Sequence, residues 1–255
     1  MATVYLAIQQ SFEREVALKV MAASLSEDKA FSDRFLHEAK VVSRLIHPHI
    51  VTVYDVGIYK GHHYLSMEYV PGRELKSCLD ELTGDQILRV IREMASALDF
   101  AGQKGYVHRD VKPENIMLHQ ESGRAVLMDF SIAKADDVGS GLTQTGMALG
   151  TPHYMSPEQA RGKEVDGRAD LYSLGIVFYK MLMGTVPFEG DSAVAIGIKH
   201  ISEPVPELPI RLAVFQPVIN KLLAKDRQQR YQRGAELVKD LEPLKGQVID
   251  KSRNP

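Results

Sequence analysis

Apolar residues recur at every second position early in the chain and at every third or fourth position after it, and this change of period organises the sequence. In "EVALKVM" (15–21), Val16, Leu18 and Val20 fall on one side and Ala17, Lys19 and Met21 on the other, which predicts a strand whose lysine shares a face with a small residue. "FSDRFLHEAKVVSRL" (31–45) repeats Phe31, Phe35, Ala39 and Val42 at helical spacing, and Glu38 joins that stripe, so a carboxylate is predicted on the buried side. "HIVTVYDVGIY" and "HYLSMEYV", separated by "KGH", read as a strand pair. "PGREL" then breaks the pattern and marks a boundary near residues 70–72.

Helices dominate beyond that boundary. "TGDQILRVIREMASALDFAG" (83–102) opens on a Thr83 and Gln86 capping box, carries a stripe through Ile87, Ile91, Met94, Ala95 and Leu98, and is predicted to stop at Gly102. "IMLH" and "AVLMD" read as two short strands joined by "QESGR". Residues 131–158 form a Gly- and Thr-rich stretch longer than a plain connection, the mark of a functional or mobile segment. From about Ala169 to Met183 the chain is apolar nearly all round, as a helix at the centre of a lobe would be. "RLAVFQPVINKLLAKD" and "RGAELVKDLEPL" predict further helices, and the polar "KGQVIDKSRNP" a frayed tail from about residue 245. The organisation predicted is two lobes, 1–70 and 71–255, with neither an internal repeat nor a low-complexity tract.

Composition narrows the function classes. With 255 residues, 44% of them apolar, the chain can bury a substantial core. Its net charge of -2 gives no electrostatic reason to expect nucleic acid or a membrane surface as partner. The single cysteine, Cys78, cannot form an internal disulfide, which fits a reducing, cytoplasmic location. No signal-peptide pattern opens the sequence, and the longest apolar run, "LYSLGIVFYKMLMG", contains Lys180 and is shorter than the roughly 20 residues of a membrane span.

Candidate chemistry gathers around "HRDVKPENIML" (108–118). If the two short strands pair about a turn centred on Ser122, Asn115 and Asp129 face one another at the open end. An amide oxygen and a carboxylate suit Mg²⁺, which takes its other ligands from water and substrate phosphates. Asp110 lies five residues before Asn115, within reach of the same spot, where it could orient or deprotonate a hydroxyl. Lys112 adds a cation able to neutralise a transferring phosphoryl group. A carboxylate on a buried stripe is costly unless paired, so Glu38 is predicted to pair with Lys19 and hold it toward the seam. Together these residues describe a nucleotide-phosphate site.

The order of "VALK", Glu38, "HRDVKPEN", "DFS" from Asp129 and "SPE" (156–158) resembles the bacterial members of the eukaryotic-like (Hanks-type) serine/threonine protein kinases, from residue 1 to about 244. The resemblance implies an α+β, two-lobe protein-kinase-like fold, with a small β-rich N-lobe holding one helix and a larger helical C-lobe. It implies that Asp110 is the catalytic base, that Lys112 neutralises phosphate, that Asn115 and Asp129 bind the metal, and that Lys19 holds the α- and β-phosphates of ATP with Glu38 positioning it. Met67 resembles the gatekeeper of the adenine pocket, the backbones of Glu68 and Val70 would bond the base, and Val4, Ala17 and Met117 would sandwich it. The segment 129–158 is similar to an activation segment, with Thr143 and Thr145 as autophosphorylation sites and Arg109 as a phosphate-binding partner. Thr151 resembles the threonine near the peptide site, Glu158 and Arg230 a buried ion pair, and Asp170 the aspartate that braces the catalytic loop.

Two features depart from the family. The glycine-rich loop that should precede "MATVYLA" is absent, for which a truncated sequence or misplaced start codon is the first explanation and natural loss the second. Ser131 stands where the family has the glycine after "DF". The leading expectation is a Mg²⁺- and ATP-dependent kinase acting on protein Ser/Thr hydroxyls, with a homodimer for trans-autophosphorylation and the option of a longer, membrane-anchored protein. A pseudokinase scaffold is the alternative. Small-molecule kinases of related fold lack a peptide-docking segment like Thr151 to Glu158.

Overall fold

The structure, a computed structural model, describes residues 2–22, 29–130 and 152–246. Met1, Ser131, Thr143, Thr145 and Thr151 lie outside the described residues, and nothing is described for the Phe31 side chain. Four strands form the first sheet: β1 (Ala2–Gln9), β2 (Arg14–Met21), β3 (Val53–Tyr59) and β4 (His62–Glu68), in the order β1-β2-β4-β3 and antiparallel throughout. The period-two segment 15–21 lies within β2, and Lys19 shares its face with cross-strand partners Val4 and Leu65. Lys60 and Gly61, both at positive φ (48° and 80°), make the tight two-residue turn that joins β3 to β4. Helix α1 (Lys29–Val42) buries Phe35, Ala39 and Val42 against this sheet.

The first sheet ends at Glu68 and a second, three-stranded sheet opens at Gly72, on either side of the predicted break. It consists of β5 (Gly72–Glu74), β6 (Ile116–His119) and β7 (Ala125–Leu127). Ile50 bridges in parallel to Leu127, with Val51 N–H donating to Leu127 O at 3.0 Å and Leu127 N–H to His49 O at 2.9 Å, so the chain after α1 is stitched to the second sheet. One apolar core runs through both parts, from Phe35 and Leu65 to Leu237 and Leu241.

Helix α2 (Gly84–Gln103) starts at the predicted box: Thr83 accepts from Gln86 N–H, and the Gln86 side chain accepts from Thr83 N–H. It runs past Gly102, and the left-handed residue that follows its end is Gly105, at φ 75°. The short α3 (Pro157–Ala160) precedes α4 (Gly167–Met183), which is buried on nearly every side and packs against α2. The segment Ala193–Ser202 forms α5, a helix the sequence reading did not single out. The predicted helix over 211–226 is a 3-10 segment (Ile210–Phe215) leading into α6 (Gln216–Leu222), divided where Pro217 can only start a helix. Helix α7 (Gly234–Leu241) closes the order against α2.

Two buried polar groups carry measurable consequences. Arg230 donates to both carboxylate oxygens of Glu158, at 2.7 and 2.8 Å, with both residues buried. Arg230→Leu leaves that carboxylate without its cation, and denaturant unfolding should show a loss of about 3–5 kcal/mol. His200 is fully buried, with Nδ1 2.9 Å from the Tyr172 hydroxyl and its ring against Phe188. Burial, with the Lys225 charge adding to it, lowers its pKa to about 3. The unfolded imidazole takes up a proton near pH 6.5 and the folded one does not, so this stabilisation is present above pH 6.5 and is lost as pH falls toward 3. Between pH 6 and 4 the stability of the wild-type protein relative to His200→Leu should fall by about 1.4 kcal/mol per pH unit, measured by urea titration at each pH.

Candidate active site

The strand β6, the strand β7 and the loop before β6 set the site's geometry. Ile116 pairs with Leu127, Met117 with Val126 and Leu118 with Ala125, and Met128 N–H donates to Asn115 O at 2.8 Å. Asn115 is therefore opposite Met128, one residue short of the predicted partner Asp129. The cause is the turn: His119 N–H donates to Arg124 O, closing a loop of four residues where a turn centred on Ser122 requires an odd number. Asp129 reaches the site by another route. Its φ of 48° turns the chain out of the strand direction, a conformation costing roughly 1–3 kcal/mol for a residue with a Cβ.

Lys19 Nζ lies 2.6 Å from Asp129 Oδ1, and this, not the predicted Glu38, is its carboxylate partner. Strand alternation fixes the face from which Lys19 leaves the sheet, and Asp129, swung out by its positive φ, lies across that face. Glu38 is half-buried on α1. Its charge reaches Tyr106, whose hydroxyl pKa is raised, first by burial and then by Glu38.

The loop that carries Asp110 is held by hydrogen bonds at almost every residue. Asp170, on the buried helix α4, accepts from His108 N–H at 2.7 Å through Oδ2 and from Arg109 N–H at 2.8 Å through Oδ1. Burial pushes the Asp170 carboxyl up to about 7, while the two amide hydrogen bonds pull the other way. Just after the second of those amides Arg109 takes φ 66°, left-handed like Asp129 although neither is glycine. His108 Nε2 sits 2.8 Å from Met128 O, and its ring meets Phe130 edge to face at 4.7 Å, which ties the loop to the end of β7. Lys112 Nζ donates to Asp110 Oδ2 at 3.0 Å, and Asn115 Nδ2 donates to Asp110 O at 2.7 Å.

A cavity of about 250 Å³ gathers Lys19, Met67, Asp110, Lys112, Asn115 and Asp129 in its lining. Val4, Ala17, Glu38, Glu68, Val70 and Met117 are not part of that lining. Val4 is 53% exposed on the edge strand, Ala17 and Val70 are buried, and the Glu68 carboxylate pairs with Arg124 at 2.6 Å. The sequence reading did not assign Phe35, Val42, Val51, Val53, Leu65 or Phe130 to the site, although they form much of its wall. Leu65 was accessible to it, since it lies two residues before Met67 on one strand face. A larger groove of about 640 Å³, lined by His49, Arg89, Arg92, Glu93 and Asp99 among others, contains none of the predicted site residues.

The donor set suits a hard divalent cation. The Asn115 amide is anchored through its nitrogen, which leaves its oxygen as a ligand, and the Asp129 side chain is 41% exposed to the cleft. Among the described residues no group of three or more His, Cys, Asp or Glu side chains could hold a metal.

The protein kinase domain family matches residues 1–240. The chain is 42% identical over 253 residues to the serine/threonine-protein kinase PknB of Mycolicibacterium smegmatis, covering 94% of this chain and 40% of that protein. It is 39% identical to the probable serine/threonine-protein kinase PknB of Lactococcus lactis, over 90% of this chain and 37% of that protein. Thus the chain spans about two fifths of the length of the curated relatives it matches. Among solved structures, the PknI kinase domain of Mycobacterium tuberculosis aligns with a TM-score of 0.75 at 30% identity, over 95% of this chain and 90% of that one. These relatives are named as kinases, and the scaffold reading gains no support from them.

Asp170→Asn replaces one of the two acceptor oxygens with an amide and leaves a buried N–H without a partner. Unfolding free energy should drop by about 2–4 kcal/mol, and the backbone amides of His108 and Arg109 should exchange faster with deuterium, which mass spectrometry reads directly.

Proposed function

The chain belongs to the protein kinase family, and from that premise we propose that it is an ATP-dependent catalytic domain phosphorylating serine and threonine hydroxyls of proteins. One observation carries the proposal: a single cavity brings Asp110 and Lys112 together with Asn115, Asp129 and Lys19. The acceptor hydroxyl is oriented by Asp110, which takes its proton as the oxygen bonds to the γ-phosphorus and the bond to the leaving ADP oxygen breaks. Lys112, already 3.0 Å from Asp110, neutralises charge on the moving phosphoryl group. Lys19 holds the α- and β-phosphate oxygens, exchanging part of its contact with Asp129 for them. Asn115 and Asp129 would hold Mg²⁺, which when bound supplies charge neutralisation and orientation of the phosphates.

Met67 would stand as gatekeeper of the adenine pocket, with Val4, Ala17 and Met117 sandwiching the base and the backbones of Glu68 and Val70 bonding it. Glu38 is assigned a positioning part only in a state where it meets Lys19. Lys112, two residues after Asp110, favours Ser/Thr acceptors. Thr143 and Thr145 are the proposed autophosphorylation sites, modified in trans by a second copy. The cytoplasm, where ATP is abundant and Cys78 stays reduced, is the proposed location. No described helix is long and apolar enough to cross a membrane.

Incubation with Mg²⁺ and ATP followed by site-resolved mass spectrometry tests the reading. Phosphate should appear on Thr143 or Thr145 and decline about 10²-fold or more in Asp110→Asn. Equal phosphate in the variant, or none in the wild-type protein when it binds nucleotide, would exclude it.

A further inference from the structure

We propose that Gln159 is a positioning residue for Asp110, latching the catalytic loop to the start of helix α3. The proposal deepens the kinase reading and rests on it for its kinetic part. The Gln159 side chain uses both ends of its amide. Its Oε1 accepts from Ser156 N–H at 2.9 Å, completing a capping box in which Ser156 Oγ accepts from Gln159 N–H at 3.3 Å. Its Nε2 donates to the carbonyl oxygen of Arg109 at 3.1 Å, fifty residues away in the chain.

That carbonyl belongs to the peptide unit joining Arg109 to Asp110. The same unit's N–H, on Asp110, points to His108 Nδ1 at 3.3 Å. The N–H of Arg109 is fixed by Asp170 at 2.8 Å. Arg109 is thus gripped from α4 at its nitrogen and from α3 at its oxygen, and its φ of 66° is a conformation that relaxes unless both grips hold. Rotation of the Arg109–Asp110 peptide would turn the Asp110 side chain, and displacements of about 1 Å at a reacting group cost on the order of 10²-fold in rate. Gln159 therefore sets the direction in which the Asp110 carboxylate points. Since α3 also carries Glu158, locked to Arg230, the latch stands on a rigid support.

The two ends of the amide separate the latch from the cap. Gln159→Glu keeps an oxygen acceptor for Ser156 N–H, and glutamate serves that position of a capping box as well as glutamine does. It replaces the donor to Arg109 O with a second oxygen, so the latch alone is lost. Ser156→Ala does the reverse, removing half of the cap and leaving the Arg109 contact. Wild type and both variants, each as the full chain, would be compared by thermal unfolding, by deuterium exchange across residues 108–111 below any melting temperature, and by turnover with Mg²⁺, ATP and histone as acceptor. Gln159→Glu should exchange faster across 108–111 and lose about ten- to a hundred-fold in kcat, with KM for ATP within about two-fold of wild type. Ser156→Ala should melt lower with exchange and kcat close to wild type. Unchanged exchange in Gln159→Glu, or the same loss of kcat in Ser156→Ala, would overturn the latch. If the wild-type protein transfers no phosphate, the kinase reading fails while the exchange data still decide the latch.

Discussion

The grip of Asp170 on two successive backbone amides is the interaction on which the rest of the site depends. A carboxyl group buried at the centre of the helical part is costly, and each N–H it satisfies would cost about 1–3 kcal/mol if left bare. The two hydrogen bonds offset both costs and hold Arg109 in a left-handed conformation. From there the constraint spreads outward. His108 holds Met128 O and packs on Phe130, Phe130 packs on Tyr106, and Asp129, between Met128 and Phe130, is presented to Lys19 of the first sheet. A continuous path of directional contacts joins the most buried helix to a side chain of the other lobe.

Two ion pairs show how burial divides structural from chemical roles. Arg230 and Glu158 are closed off, doubly bonded and surrounded by protein, so neither can change partner without a loss of several kcal/mol. Lys19 and Asp129 meet by one contact with side chains 23% and 41% exposed. Water can replace either partner there, and a pair so exposed contributes at most about 1 kcal/mol. Such a pair gives way readily to phosphate oxygens, which is what a site that binds and releases nucleotide requires. The same argument explains why Lys19 can sit on Asp129 although the helical stripe pointed to Glu38: among partly solvated partners, small backbone differences decide.

Much of this was legible in the residues because the cues were local. The Thr83 and Gln86 box and the all-round apolar segment 169–183 are each written within one element, and each element formed as the pattern demanded; the strand pair about "KGH" formed too, with His62 already in the second strand. What was misjudged depended on counting or on distant geometry. One residue more or fewer in the turn after His119 moves Asn115 off Asp129, and no periodicity within four-residue strands fixes that count. Gly102 reads as a helix stop, yet the left-handed residue after the helix is Gly105, three positions on. The helix Ala193–Ser202 is short and rich in β-branched residues, so propensity argued weakly for it. Gln159 reads from sequence only as part of a cap, because its second partner is fifty residues upstream.

Apolar packing holds the two parts of the molecule together, yet it cannot aim a carboxylate. Dispersion and hydrophobic burial are nearly non-directional, so the core fixes where α4 and the second sheet lie but leaves a loop between them free to rotate its peptides. Hydrogen bonds supply the missing direction. They are concentrated where orientation matters: two at Asp170, one at Gln159, one at His108 and one at Asn115 all bear on the three residues His108, Arg109 and Asp110. Each is worth about 1 kcal/mol in net stability, but what apolar burial of equal worth could not supply is their direction. Their effect is to remove alternative orientations of Asp110 before substrate arrives, which lowers the entropy that the reaction itself would otherwise have to lose.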